Sequence, residues 1–60
     1  MNTRILLIDD DRKVTDLLHR GLGYEGYTVD IAHNGTEGLA LVREHAPDLV
    51  ILDIMMPGMD

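Results

Sequence analysis

The chain has 60 residues, which allows one small domain, and its 11 acidic and 5 basic residues give a formal net charge of −6 at pH 7. The acidic balance argues against direct contact with nucleic acid, because DNA binding depends on basic groups that neutralise phosphates. The sequence has no cysteine, no signal peptide and no long apolar run, which argues against disulfides, thiolate zinc sites and membrane spans and predicts a soluble, cytoplasmic protein.

The first predicted strand is the aliphatic run at residues 4–8, which does not alternate and is therefore typical of a strand buried on both faces of a parallel sheet. From residue 12 to about 24 the apolar residues follow a helical spacing, and Asp11 is a suitable N-cap for that helix. The apolar stripe that should face the sheet consists of Val14, Leu17, Leu18 and Leu22.

A β-branched, alternating segment at residues 27–32 predicts the second strand, and Asn34 can cap a second helix over about 35–46. Pro47 should end that helix, because proline disfavours helical geometry in the residue before it. Another apolar run predicts a third strand at residues 49–53, so strands and helices alternate as in an α/β fold with a parallel sheet. The apolar side of the second helix should comprise Leu39, Ala40, Val42 and Ala46.

Aspartates follow the first strand and end the third. In parallel sheets, functional groups gather at the carboxyl ends of the strands, so Asp9, Asp10 and Asp53 should share one pocket if these strands are neighbours. Carboxylates this close require a cation, and hard oxygen ligands favour Mg²⁺, which suits phosphate chemistry. Asp53 stands alone at its strand end and is the better nucleophile, whereas Asp10 would bind the ion directly and Asp9 directly or through water.

Three separated motifs, "ILLIDDD", "YEGYTVDIAHNGTEGL" and "PDLVILDIMMPGMD", together resemble the receiver domain of two-component response regulators along the whole chain. The resemblance implies a flavodoxin-like fold with strand order 2-1-3 and helices on both faces. It further implies that Asp53 accepts a phosphoryl group from a sensor histidine kinase, that Asp9 and Asp10 hold Mg²⁺, and that the backbone carbonyl of Met55 is another metal ligand. The motifs are most similar to regulators that control transcription through a C-terminal winged-helix DNA-binding domain.

The resemblance also implies residues that these 60 do not contain: a Ser or Thr on a fourth strand and a Lys on a fifth, both of which meet the phosphoryl group. We therefore expect residues 1–60 to form a truncated receiver in which the third strand is an exposed edge. Its sequence, "LVIL", has no charge or proline to protect an edge. The expected result is a twofold homodimer, with this strand paired against its own copy.

Other classes of function compete with a signalling module. A phosphatase or mutase with an aspartate nucleophile usually carries a second acid two residues later, where this chain has Met55, so we do not expect an enzyme. A nucleotide-binding domain needs a glycine-rich loop after the first strand, where this chain has aspartates. No two of its histidines are spaced i, i+4, which argues against a zinc site. A self-associating structural fragment without phosphotransfer activity remains the alternative.

Overall fold

Three strands and two helices alternate along residues 2–52, the part of the chain that the computed structural model describes. The strands are β1 (Arg4–Ile8), β2 (Thr28–Ala32) and β3 (Leu49–Leu52), and the helices are α1 (Arg12–Tyr24) and α2 (Gly35–His45). Compared with the ranges predicted from the sequence, β2 begins one residue later, at Thr28, and α2 ends one residue earlier, at His45. Neither helix is long and apolar enough to cross a membrane.

The strands form a parallel sheet in the order β2-β1-β3, which confirms the expected order 2-1-3. At the carboxyl end of the sheet, Ile8 pairs with Ala32 of β2 on one side and with Leu52 of β3 on the other. The central strand also supplies most of the core, because a strand with neighbours on both sides and helices on both faces is removed from water. Its buried side chains are Ile5, Leu6 and Leu7.

The two helices cover opposite faces of the sheet, as expected. Consecutive side chains of a strand point to opposite faces. Leu7 lines a groove together with Val14 and Leu18 of α1. Ile8, the next residue of β1, lies beneath Gly38 of α2, because a Cβ placed on that glycine would be 2.5 Å from Cδ1 of Ile8. The fold is therefore an α/β arrangement of three layers.

The helices bury smaller residues than their apolar stripes predict. In α1 the buried residue is Thr15, whose hydroxyl donates to the carbonyl of Arg12 at 3.1 Å, and in α2 it is Gly38. Leu17 is 72% exposed and Leu39 is 58% exposed, so their predicted places against the sheet are wrong. Each residue turns the helix by about 100°, so Leu17 lies far around α1 from Thr15, and Leu39 points away from the contact made by Gly38.

Local hydrogen bonds begin and end the helices where the sequence indicates. The carboxylate of Asp11 accepts from the backbone N–H of Lys13 at 2.9 Å, which caps α1, and Asn34 Oδ1 accepts from the N–H of Glu37 at 2.9 Å, which caps α2. Ala46 follows α2 in the left-handed conformation, at φ 47°, directly before Pro47. The predicted N-caps and the predicted stop before the proline are therefore confirmed.

A charged network joins β1, β2 and α2 through Asp30. Its Oδ2 accepts from Nη1 of Arg4 at 3.1 Å and from Nδ1 of His45 at 3.0 Å. Burial alone would raise the pKa of Asp30, but hydrogen bonds from His45 and Arg4, together with their positive charge, outweigh it and lower the pKa below its ordinary value. The network therefore favours the ionised carboxylate and holds the end of α2 against the sheet.

We expect Gly38→Ala to lower the free energy of unfolding by about 1 kcal/mol, although alanine is the better helix former. The new methyl would lie 2.5 Å from Cδ1 and 3.0 Å from Cγ1 of Ile8, and overpacking of this kind typically costs about 1–3 kcal/mol. Urea unfolding measures the loss, and Ile8→Val, which removes Cδ1, should recover part of it in the double variant. Gly21→Ala in α1 is the control, because a Cβ there meets nothing within 4 Å and should stabilise the protein.

We expect Asp30→Asn to lower the free energy of unfolding at pH 7 by about 1 kcal/mol, because Arg4 and His45 lose their carboxylate partner. Since the folded-state pKa of Asp30 is lowered, this contribution is complete above the unfolded-state value of about 3.9 and is lost as the pH falls through the folded-state pKa. Urea unfolding across this range should show the two proteins converging in acid. Asp16→Asn, an exposed change of equal charge, should have little effect; an equal loss would contradict the role of the network.

Candidate functional site

An acidic turn, Asp9 to Asp11, connects the central strand to α1. It begins at the carboxyl end of β1, where Ile8 has neighbours in both β2 and β3. Asp9 is 7% exposed, whereas Asp10 and Asp11 are exposed. The sheet therefore presents one buried and two exposed carboxyl groups at the edge where parallel α/β sheets place their functional residues.

Asp9 is held in this turn by contacts from three directions. Its backbone N–H donates to the carbonyl of Ala32, the last residue of β2, at 3.1 Å. Its Oδ1 accepts from the backbone N–H of Asp11 at 2.9 Å, and its carbonyl oxygen lies 3.2 Å from Nδ1 of His33. The orientation of Asp9 is thus set jointly by β2, by the segment after β2 and by the start of α1.

The three consecutive aspartates have different structural roles. Asp11 caps α1, and negative charge near a helix N-terminus is favourable because of the helix dipole. Asp9 turns inward and accepts from the N–H of that capping residue, while Asp10 remains exposed between them. The third carboxylate is therefore explained by the helix, which leaves Asp9 and Asp10 as the two of these aspartates that are candidates to bind a ligand.

The third strand approaches the same edge of the sheet, and β3 is described as far as Leu52, the partner of Ile8. The predicted acceptor, Asp53, is the next residue in the sequence, and both Asp53 and Met55 lie outside the described residues. Within residues 2–52 no three His, Asp or Glu side chains form a group that could hold a metal ion. The expected pocket of Asp9, Asp10 and Asp53 therefore stays a prediction.

The chemistry of the acidic turn fits a magnesium ion. Mg²⁺ prefers carboxylate oxygens and keeps several of its water molecules, so a few carboxylates beside solvent are sufficient ligands. Asp10 is exposed, Asp9 is adjacent and buried, and a cation bound between them would offset the repulsion of their charges. The residues that would hold the ion in the described part of the chain are thus these two.

His33 contacts Asp9 and was not among the site residues predicted from the sequence. The sequence does contain a signal, because His33 directly follows β2, whose carboxyl end is adjacent to that of β1. The backbone N–H of His33 also donates to Oε1 of Glu37 at 3.2 Å, and Oε2 of Glu37 accepts from the amide of Asn34 at 3.2 Å. The backbone of His33 is therefore hydrogen-bonded to the first turn of α2, while its ring contacts Asp9.

The sheet order, the acidic turn at the end of β1 and an aspartate immediately after β3 together define the class, a receiver domain. The chain belongs to the response regulator receiver domain family, which matches residues 5–60. The resemblance drawn from the three sequence motifs is thereby confirmed. As a member of this family it is a module of two-component signalling, in which receivers interact with histidine kinases in general.

Curated relatives share the response regulator name. The chain is 48% identical over 60 residues to Response regulator MprA of Mycobacterium ulcerans (strain Agy99), and 47% identical to Response regulator MprA of Mycobacterium bovis (strain BCG / Pasteur 1173P2). The protein of the same name from Mycobacterium sp. (strain KMS) is 48% identical. Each match covers 100% of this chain and 26% of the relative, so the chain spans about a quarter of the length of these proteins.

Proposed function

We propose that the chain is the phosphoacceptor part of a response regulator, with Asp53 as the acceptor of a phosphoryl group from a sensor histidine kinase. The observation that carries this proposal is the parallel pairing of Ile8 with Leu52. Asp9 and Asp53 each follow one member of this pair in the sequence, and consecutive Cα atoms are only about 3.8 Å apart. The pairing thus supports an acidic pair and an acceptor at one edge of the sheet.

The proposed reaction is a phosphoryl transfer between two side chains. An oxygen of the Asp53 carboxylate forms a bond to phosphorus, the P–N bond of the phosphorylated kinase histidine breaks, and the imidazole keeps the electron pair. Asp9, Asp10 and Asp53, with the Met55 carbonyl, would hold Mg²⁺. When bound, Mg²⁺ would neutralise charge on the phosphoryl oxygens. The protein's proposed contribution is to bring the acceptor to the edge of the sheet that carries the acidic turn.

In a longer polypeptide, we propose that this module controls transcription through a separate DNA-binding domain. The support is the length of the relatives named Response regulator MprA, of which this chain covers 26%. The chain itself carries a formal charge of −6, so direct binding to the phosphates of DNA is not expected of it. Any contact with DNA is assigned to residues other than these 60.

A second candidate function is self-association, which is favoured by the exposure of β3. Among residues 2–52 this strand is paired only with β1, and all four of its side chains are exposed, from 37% for Ile51 to 54% for Leu52. The groove beside it continues the apolar surface onto Val14 and Leu18 of α1. An unpaired strand edge offers alternating N–H and C=O groups, which complement an identical edge.

The proposed occupant of this edge is a second copy of the chain. Two copies related by a twofold axis would pair β3 with β3 and form a continuous sheet of order 2-1-3-3′-1′-2′. The segment Leu49–Leu52 has no charge or proline to prevent this pairing. The two copies repel each other through their net charge, so salt should strengthen the dimer.

The acceptor is tested by labelling with acetyl phosphate and Mg²⁺. We expect slow incorporation of phosphate on Asp53, detected as a mass shift that is absent without Mg²⁺ and in Asp53→Asn. Incorporation should be slow because the Ser or Thr and the Lys that the resemblance implies on a fourth and a fifth strand are not among these 60 residues. Asp16→Asn is the matched control and should label normally. Equal labelling of the Asp53→Asn variant would refute the proposed acceptor.

The dimer is tested by size-exclusion chromatography with light scattering on the 60-residue chain. We expect a dimer mass for the unmodified chain and a monomer mass for Val50→Lys, because a lysine on an edge strand opposes pairing. Leu17→Lys introduces the same charge on an exposed residue of α1 and should leave the dimer intact. Pairing through β3 would be excluded if the unmodified chain were folded and had a monomer mass. It would also be excluded if Leu17→Lys dissociated the dimer as Val50→Lys does.

A further inference from the structure

The contact between His33 and Asp9 has a definite direction. A carbonyl oxygen can only accept a hydrogen bond, so Nδ1 of His33 must carry the proton that it donates to the Asp9 carbonyl, 3.2 Å away. Asp9 is buried, at 7% exposure, and His33 is half-buried. The contact therefore favours one orientation of the ring and one position for its proton.

This hydrogen bond is the link between two loops at the same edge of the sheet. On one side, the backbone N–H of His33 donates to the carboxylate of Glu37, which also accepts from the amide of Asn34, the N-cap of α2, while the N–H of Glu37 donates to Asn34 Oδ1. On the other side, the carboxylate of Asp9 accepts from the N–H of Asp11, the N-cap of α1. A chain of hydrogen bonds thus connects the start of α2 with the start of α1 through His33 and Asp9.

We propose that His33 is a positioning residue for the acidic turn, which it holds by donating from Nδ1 to the Asp9 carbonyl. This inference rests on the proposed role of Asp9 and Asp10 in binding Mg²⁺. The ring acts on the backbone of Asp9, and its effect on the ion is transmitted through the orientation of the carboxylate. Partners of metal-binding groups commonly change metal affinity by about tenfold or more when they are removed, because the ligands lose their preorganisation.

The proposal is tested by titrating the protein with MgCl₂ and following the backbone amide signals of Asp9 to Asp11 by NMR. We expect His33→Leu to weaken Mg²⁺ binding by about tenfold. We expect His33→Asn, which has nearly the same shape as leucine and keeps an N–H donor near the position of Nδ1, to remain within about threefold of the unmodified protein. The urea midpoint of each variant separates this effect from a general loss of stability.

The outcomes distinguish the two proposals. If the unmodified protein shows no response to Mg²⁺, or if Asp10→Asn leaves the response unchanged, the proposed metal site is refuted and the role of His33 falls with it. If the site binds Mg²⁺ but His33→Leu binds as tightly as the unmodified protein, or if His33→Asn is as weak as His33→Leu, only the positioning role is overturned.

A measurement without metal or mutation covers the case in which His33→Leu fails to fold. In ¹⁵N-labelled protein above pH 8, where an ordinary imidazole is neutral, the ring nitrogens report which of them carries the proton. We expect the proton of His33 on Nδ1, protected from exchange with solvent by its hydrogen bond to the Asp9 carbonyl. A proton on Nε2 would overturn the proposal, because Nδ1 would then have nothing to donate.

Discussion

The arrangement of this protein depends on the central position of β1, which pairs in parallel with both of its neighbours. Ile8 is in register with Ala32 and with Leu52, so three separate parts of the chain arrive at one edge of the sheet. The same pairing, with a helix on each face, removes Ile5, Leu6 and Leu7 from water. One set of backbone hydrogen bonds therefore both builds the core and assembles the acidic turn beside the strand that precedes Asp53.

Three adjacent carboxylates are tolerated at this edge of the sheet because the fold places each of them in a different environment. Asp11 is bound by the N–H groups of α1, Asp9 is bound by the N–H of Asp11, and Asp10 faces solvent. The opposite arrangement occurs at Asp30, whose carboxylate accepts hydrogen bonds from Arg4 and His45 within the protein. The acidic turn thus differs from an internal ion pair, and its exposed carboxylate suits an exchangeable cation better than a permanent partner.

Helix caps and helix ends, which depend on neighbouring residues, could be predicted from sequence patterns. Asp11 and Asn34 were identified as helix caps because capping depends on groups within three residues, and the end of α2 before Pro47 follows from proline sterics. The side of each helix that meets the sheet was not accessible in the same way. Leu17 and Leu39 fit an apolar pattern, but the buried residues of the helices are Thr15 and Gly38, and at Gly38 the close approach of Ile8 leaves no room for a larger side chain.

The alternation of strands and helices, the parallel sheet and the family can be predicted from the amino-acid sequence, because hydrophobic period, caps and motifs are local properties of the chain. The buried faces of the helices and the contact of His33 with the Asp9 carbonyl become visible in the folded chain. That contact joins residues 24 positions apart, and its geometry depends on how β1 and β2 align. No local pattern encodes such an alignment, since it results from packing the whole sheet against both helices.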